Sequence, residues 1–279
     1  MSEVNADKTR DIVREHYANV STKNVGCAPS CCGGPMAAGQ SLALGYTEGD
    51  LAAVPEGADL GLGCGNPNAI AALKAGETVL DLGSGGGFDA FLAARAVGPT
   101  GRVIGVDMTP EMISRARDNA RKVEAKNVEF RLGEIEHLPV ADSTVDAIMS
   151  NCVINLSPEK EAVFSEALRV LKPGGRLAIS DVVAIAPIPP ELQTQAAALA
   201  GCISGATPLE ELKQMLTRIG FVGIEVTIAP RSAEIVDSWL EGASQFIASA
   251  TIEARRHDPD AKASSDKDSA ACCAPTCCP

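Results

Sequence analysis

The chain has 279 residues, 46% of them apolar and 3% aromatic, and a formal charge of −12 from 24 basic and 36 acidic side chains. That balance excludes nucleic acid as a partner, because phosphate binding draws on clustered Lys and Arg, and scarce aromatics exclude base-stacking platforms. An acidic field repels anions and favours neutral or cationic substrates.

The first residues, MSEVNADKTRDIVREHY, are charged where a secretion signal would be apolar, and no stretch has the length of a membrane span. A cytoplasmic monomer with no membrane association is expected. In that reducing setting the ten cysteines (27, 31, 32, 64, 152, 202, 272, 273, 277 and 278) are poor candidates for a disulfide framework. No C-x-x-C pair occurs, so neither a thioredoxin-type motif nor a paired-knuckle zinc site is spelled out.

In chain order, Asp7–Val20 reads as an amphipathic helix, followed by a Cys-rich loop, VGCAPSCCGGP, and a second loop, GADLGLGCGNP, which leads into a helix at Asn68–Lys74. From Glu77 the pattern is regular. Strands are predicted at Thr78–Leu82, Arg102–Asp107, Asn127–Leu132, Val145–Ser150 and Arg176–Val182. Helices fall between them, from Phe88 to Val97, from Thr109 to about Val123 with Pro110 in the first turn, and over Glu159–Val170, which ends in the stop signal LKPGG. This alternation predicts an α/β fold with a doubly wound, mostly parallel sheet. Beyond Val183 come a Pro-rich linker, a small-residue helix, the loop GCISGA, a helix at Pro208–Ile219 and a strand at Gly223–Ile228. Phe246–Ala254 fits helix or strand equally by periodicity. From Arg255 the polar, small-residue text reads as a disordered Cys-rich tail. The chain thus divides into four parts: 1–70 with the N-terminal helix and Cys-rich loops, 71–183 as a cofactor-binding core, 184–254 as a substrate-binding insertion and the rest of the sheet, and 255–279 as the tail.

The turn after the first strand spells Asp81-Leu82-Gly83-Ser84-Gly85-Gly86-Gly87, which is D-x-G-x-G-x-G rather than the dinucleotide G-x-G-x-x-G. Its glycines let backbone approach a ligand closely, in the crevice where parallel sheets bind ligands. Asp107, followed by Met108, ends the second strand, where a carboxylate can accept both ribose hydroxyls. The pattern resembles the class I S-adenosylmethionine-dependent methyltransferases. The resemblance implies that Asp81, Gly83, Ser84, Gly85, Asp107 and Met108 hold S-adenosylmethionine, that Glu134 and Ile135 of GEIE pack on its adenine, and that Asn151 lines the cofactor side of the fourth strand's end.

Cysteine placement narrows the acceptor. Singly, a cysteine is more often inert packing than chemistry, yet Cys64, Cys152 and Cys202 all sit in Gly- or Asn-flanked, loop-like contexts. Their surroundings, LGCGNP, SNCVINLSPEK and GCISGA, together with LKPGGRLAISDV, resemble the arsenite methyltransferase family from about His16-Tyr17 to about Ile228. The resemblance implies that methyl groups pass from S-adenosylmethionine to arsenite in arsenic detoxification. It assigns arsenic to Cys152 and Cys202, and a redox partnership to Cys64 and an N-terminal cysteine. Cys27, Cys31 and Cys32 compete for that last role, and spacing from Tyr17 favours Cys32, then Cys31. Soft thiolates suit a thiophilic ion, and arsenic held by them keeps a lone pair that attacks a sulfonium methyl without a general base. The product is formally As(V), so a thiol reductant, glutathione or thioredoxin, is expected as co-substrate. Two other readings stand beside this one: methylation of a small organic acceptor such as a quinone, and a non-catalytic thiol-rich metalloid-binding protein.

The tail pairs Cys272-Cys273 and Cys277-Cys278 read as accessory metalloid capture, as scavengers of zinc or copper, or as residues with no role. His16, His137 and His257 read as surface or loop residues, and Trp239 as core or interface rather than a substrate platform.

Overall fold

The computed structural model describes residues 3–23, 37–190, 203 and 205–260. Helices α1 (Glu3–Lys23), α2 (Ala37–Ala43), α3 (Glu48–Ala53) and α4 (Pro67–Ala71) precede the sheet. The order then runs β1 (Thr78–Leu82), α5 (Phe88–Val97), β2 (Arg102–Asp107), α6 (Pro110–Lys122), β3 (Val128–Leu132), β4 (Val145–Asn151), α7 (Lys160–Val170) and β5 (Leu171–Ala184). It closes with β6 (Thr207–Pro208), α8 (Leu209–Ile219), β7 (Phe221–Ile228), α9 (Ser232–Trp239) and β8 (Ile247–Arg256). The Cys-rich loop with Cys27, Cys31 and Cys32, the expected small-residue helix, Cys202 of the GCISGA loop and the tail cysteines all lie outside the described residues.

The sheet order is β3-β2-β1-β4-β5-β8-β7, with β6 paired to β5. Strands β1 to β5 run parallel, and β8 is antiparallel to both β5 and β7. This is the class I methyltransferase fold. The central strands are buried on both faces, which is why β1 and β4 read as nearly continuous apolar runs. Alternate residues enter two cores: Leu80, Leu82, Ile104 and Ile148 pack with α7 and α8, while Val79, Val103, Ala147 and Met149 pack with α5. Val163, Phe164, Ala167 and Val170 form the buried stripe of α7, the spacing of an amphipathic helix.

Tertiary pairing settles what periodicity left open. Ile247–Arg256 is a strand because β5 and β7 bond it on both edges. The predicted stop LKPGG belongs to β5, which starts at Leu171 rather than Arg176. Val145 pairs with Leu171 and Ala147 with Arg176, so the irregularity between them absorbs the Pro-Gly-Gly segment. The helix expected to reach Lys74 ends at Ala71. Arg176 caps it, donating to the carbonyls of Ala71 at 2.6 Å and Ala72 at 2.9 Å. Strand order reverses between β1 and β4, so a crevice opens where their carboxyl ends diverge. Register brings Leu82 opposite Val106 and Ser150, and Asn151 opposite Ser180, so β1, β2 and β4 reach their carboxyl ends at one level beside the middle of β5.

Candidate active site

The glycine turn rides on β2. Gly83 and Ser84 both donate to the Val106 carbonyl, at 2.8 and 3.0 Å. Gly83 has φ +69°, and a Cβ there would stand 2.4 Å from the Val153 side chain, so no larger residue fits. Gly85 donates its N–H to Asp107 Oδ2 at 3.0 Å and Thr109 donates to Oδ1 at 2.8 Å. The Thr109 side chain bonds the same carboxylate, which with about four acceptor sites keeps capacity for a ligand hydroxyl. Burial raises its pKa against the pull of those backbone donors.

These residues wall a cleft of about 1150 Å³, counting its open mouth. Gly83, Gly85, Asp107, Met108, Ile135, Asn151 and Cys152 line it. Asp81 and Ser84 lie beneath the turn instead, 2% and 6% exposed. Asp81 Oδ2 and Ser84 Oγ have no hydrogen-bond partner among the described residues. Burial, then the charges of Asp89 and Asp107, hold the Asp81 carboxyl well above its usual range. Orphaned polar atoms under a backbone cradle, with a carboxylate at the ribose position, fit S-adenosylmethionine. Glu134 points to Arg14 at 3.4 Å and Arg10 at 3.8 Å, while Glu136 lines the cleft.

The second half of the site is assembled around sulfur. Cys64 is fully buried and Cys152 is 7% exposed. Their sulfurs and a carboxylate oxygen of Asp181 all lie within 4.8 Å of one another. Flanking glycines explain how the Cys64 loop gets so close: a Cβ on Gly63 would meet the Asn151 amide at 2.7 Å, and one on Gly65 would meet Ser180 at 2.9 Å. Asn151 then holds that loop, accepting from Cys64 N at 3.0 Å and donating to the Gly65 carbonyl at 2.9 Å. Its amide also lies 3.0 Å from the Tyr46 hydroxyl, which donates to Asp89 at 2.6 Å. Cys152 has φ +58°, a left-handed conformation that costs a non-glycine residue about 1–2 kcal/mol. Its N–H donates to the Ser180 carbonyl at 2.8 Å.

Around the two sulfurs the walls are apolar: Val182, Ile203, Val236, Ala243 and Ile247, with Ile188, Trp239 and Phe246 packed against them. Ile203, next in sequence to Cys202, lines the cleft. So does Trp239, expected as core or interface, because α9 carries it to the cleft wall as well as to the sulfur cluster. Helix α1 covers the mouth with Arg10, Val13 and Tyr17. Arg10 is tied to Glu159 and Glu136, and Glu136 accepts from Ser157 at 2.6 Å. Isolated helical charges like Arg10 gave no signal in the sequence. His16, expected at the surface or in a loop, is half-buried within α1 and meets Tyr17 edge-on at 5.2 Å. Asp181 had a signal that went unused, a carboxylate inside the apolar run AISDVV.

The methyltransferase-domain family matches residues 73–220. An arsenite methyltransferase from Halobacterium salinarum is 52% identical over 90% of this chain and 67% of that protein. Another from Aquipseudomonas alcaligenes is 43% identical over 57% of this chain, and the match spans 47% of its length. Among solved structures, an arsenic(III) S-adenosylmethionine methyltransferase from Chlamydomonas reinhardtii superposes with a TM-score of 0.59 at 32% identity. That superposition covers 79% of this chain and 74% of the algal one.

Proposed function

The chain belongs to the arsenite methyltransferases, and we propose on that footing that it moves methyl groups from S-adenosylmethionine to trivalent arsenic held by its own cysteine thiolates. One observation carries the reading. Cys152 belongs to both halves of the site, lining the cofactor cleft while its sulfur stands within 4.8 Å of that of Cys64.

S-adenosylmethionine supplies an electrophilic sulfonium methyl. The chain's own work is positioning, which is worth many powers of ten when geometry is right. Asp107 and the glycine turn orient the donor, and Cys64 and Cys152, with Cys202 as third ligand, hold arsenic with its lone pair toward the cleft. No proton leaves the arsenic, so no general base is needed. The methyl carries no electrons from the sulfonium, so arsenic is formally oxidised to As(V) as its lone pair becomes the As–C bond. Two thiols that close a disulfide return two electrons, and glutathione or thioredoxin resets the enzyme. Cys32 or Cys31 partners Cys64 in that step. The apolar walls keep bulk water from the arsenic–sulfur bonds.

The test is speciation of arsenic after incubation with arsenite, thiol and S-adenosylmethionine. Methylarsenicals are expected. Methylation of a quinone with arsenite left unchanged would favour the organic-acceptor reading, and arsenic retained without methylation would favour the binding-protein reading.

A further inference from the structure

Cys152 holds an unfavourable backbone conformation at φ +58°, so contacts of the adjoining turn must stabilise it. The turn that follows is bonded to the third member of the sulfur cluster, Asp181, 2% exposed at the end of the pairing between β4 and β5. Its Oδ2 accepts from Ile154 N at 2.9 Å and lies 3.4 Å from Asn155 N. Its Oδ1 accepts from Asn155 Nδ2 at 2.8 Å and from Val182 N at 2.7 Å. Asn155 also donates to the Val182 carbonyl at 2.7 Å, so the turn after Cys152 is bolted to β5 from both sides.

Those donors engage all the acceptor positions a carboxylate has. Although an Asp181 oxygen stands near both sulfurs, it has no lone pair left with which to ligate. A hard divalent ion would have to break those bonds, so the cluster offers two soft sulfurs and an oxygen already committed to the backbone.

We propose that Asp181 is the positioning residue of the sulfur site: it fixes the turn Cys152–Asn155 so that the Cys152 thiol faces both Cys64 and the cofactor cleft. This rests on the reading that the two cysteines hold arsenic. Asparagine cannot replace it. Ile154, Asn155 and Val182 all present N–H donors to the carboxylate, and an amide would turn one of its own donors toward them in either orientation.

The test uses full-length protein in which Cys27, Cys31, Cys32, Cys202, Cys272, Cys273, Cys277 and Cys278 are serine, leaving Cys64 and Cys152. Phenylarsine oxide, which needs two neighbouring thiols, is the probe. It should bind this parent one to one, and Asp181→Asn should weaken it by about tenfold or more, the scale of one charge-assisted hydrogen bond. S-adenosylmethionine affinity, measured on the same samples, should stay within about twofold of the parent. In the enzyme with all its cysteines, the same change should raise KM for arsenite and leave KM for S-adenosylmethionine in place. Equal phenylarsine oxide affinity in parent and variant overturns the proposal. So does a parallel loss of S-adenosylmethionine binding, which marks a general folding role. A parent that fails to bind the probe removes the reading that Cys64 and Cys152 hold arsenic between them, and this inference with it.

Discussion

The two halves of the site are built by opposite means. The cofactor half centres on one short piece of chain, residues 81–109, whose geometry is mostly backbone: Gly83 and Ser84 on the Val106 carbonyl, Gly85 and Thr109 on Asp107. The sulfur half draws on Gly63–Gly65, Asn151–Asn155, Ser180–Val182 and Ser249, segments far apart in sequence and joined by buried side chains. Backbone geometry tolerates many sequences around a few glycines. A side-chain clamp depends on each member, so the sulfur half should be the easier one to break without harming the other.

The largest effect should come from Cys152→Ser, which removes a soft ligand and leaves the cleft intact. Arsenite methylation should fall to background while calorimetry still detects S-adenosylmethionine binding. Full activity would refute the thiolate mechanism. The mirror experiment is Asp107→Ala, which removes the prospective ribose contact and two backbone caps. S-adenosylmethionine affinity should fall on the order of 100-fold, with arsenic binding retained. Loss of both ligands together would mean that the halves are not separable.

Gly65→Ala sharpens the contrast within the sulfur half. The added methyl would press on Ser180 at 2.9 Å, and overpacking of this kind costs about 1–3 kcal/mol. The melting temperature should drop by several degrees, and arsenite KM should rise more than the KM for S-adenosylmethionine.

A smaller effect, of opposite sign, is expected beneath the glycine turn. Burial raises the folded pKa of Asp81 above its unfolded value near 3.9. The folded state therefore binds the proton more tightly, and stability falls as pH rises from about 4 toward the folded value. Asp81→Asn escapes that loss. Thermal melts should show it stabilised at pH 7, with the gain shrinking toward pH 4. Asp181 adds to the same trend in the wild-type protein, since burial pushes its pKa up to about 6. Its contribution falls between about pH 4 and 6 and is level above that.

The smallest effect should come from truncation after Asp258. Strand β8 is antiparallel to β5 and delivers the chain beside Gly174, at the end of the sheet opposite the cleft. Turnover at saturating arsenite should be unchanged. Loss of that turnover would make the tail cysteines catalytic rather than accessory.

Legibility in the sequence obeyed the same division. The strands β1 to β4 were visible as apolar runs, and D-x-G-x-G-x-G with Asp107 marked the cofactor half because its parts are adjacent in the chain. The Cys64 and Cys152 contexts were visible, but their meeting was not, since it depends on glycines 63 and 65 packing on residues 151 and 180. Phe246–Ala254 stayed ambiguous because only its two neighbours make it a strand.

By itself, then, the order of residues determined the alternating fold, the turn that cradles a cofactor and the cysteines fit for a soft ligand. These are local properties of spacing and side-chain chemistry. Only the tertiary structure decided that Asn151 and Asp181 clamp the sulfur pair, that Trp239 walls the cleft and that Arg10 ties α1 across its mouth. Each of those depends on contacts between distant segments, and a hydrogen bond from position 64 to position 151 leaves no periodic trace in either stretch.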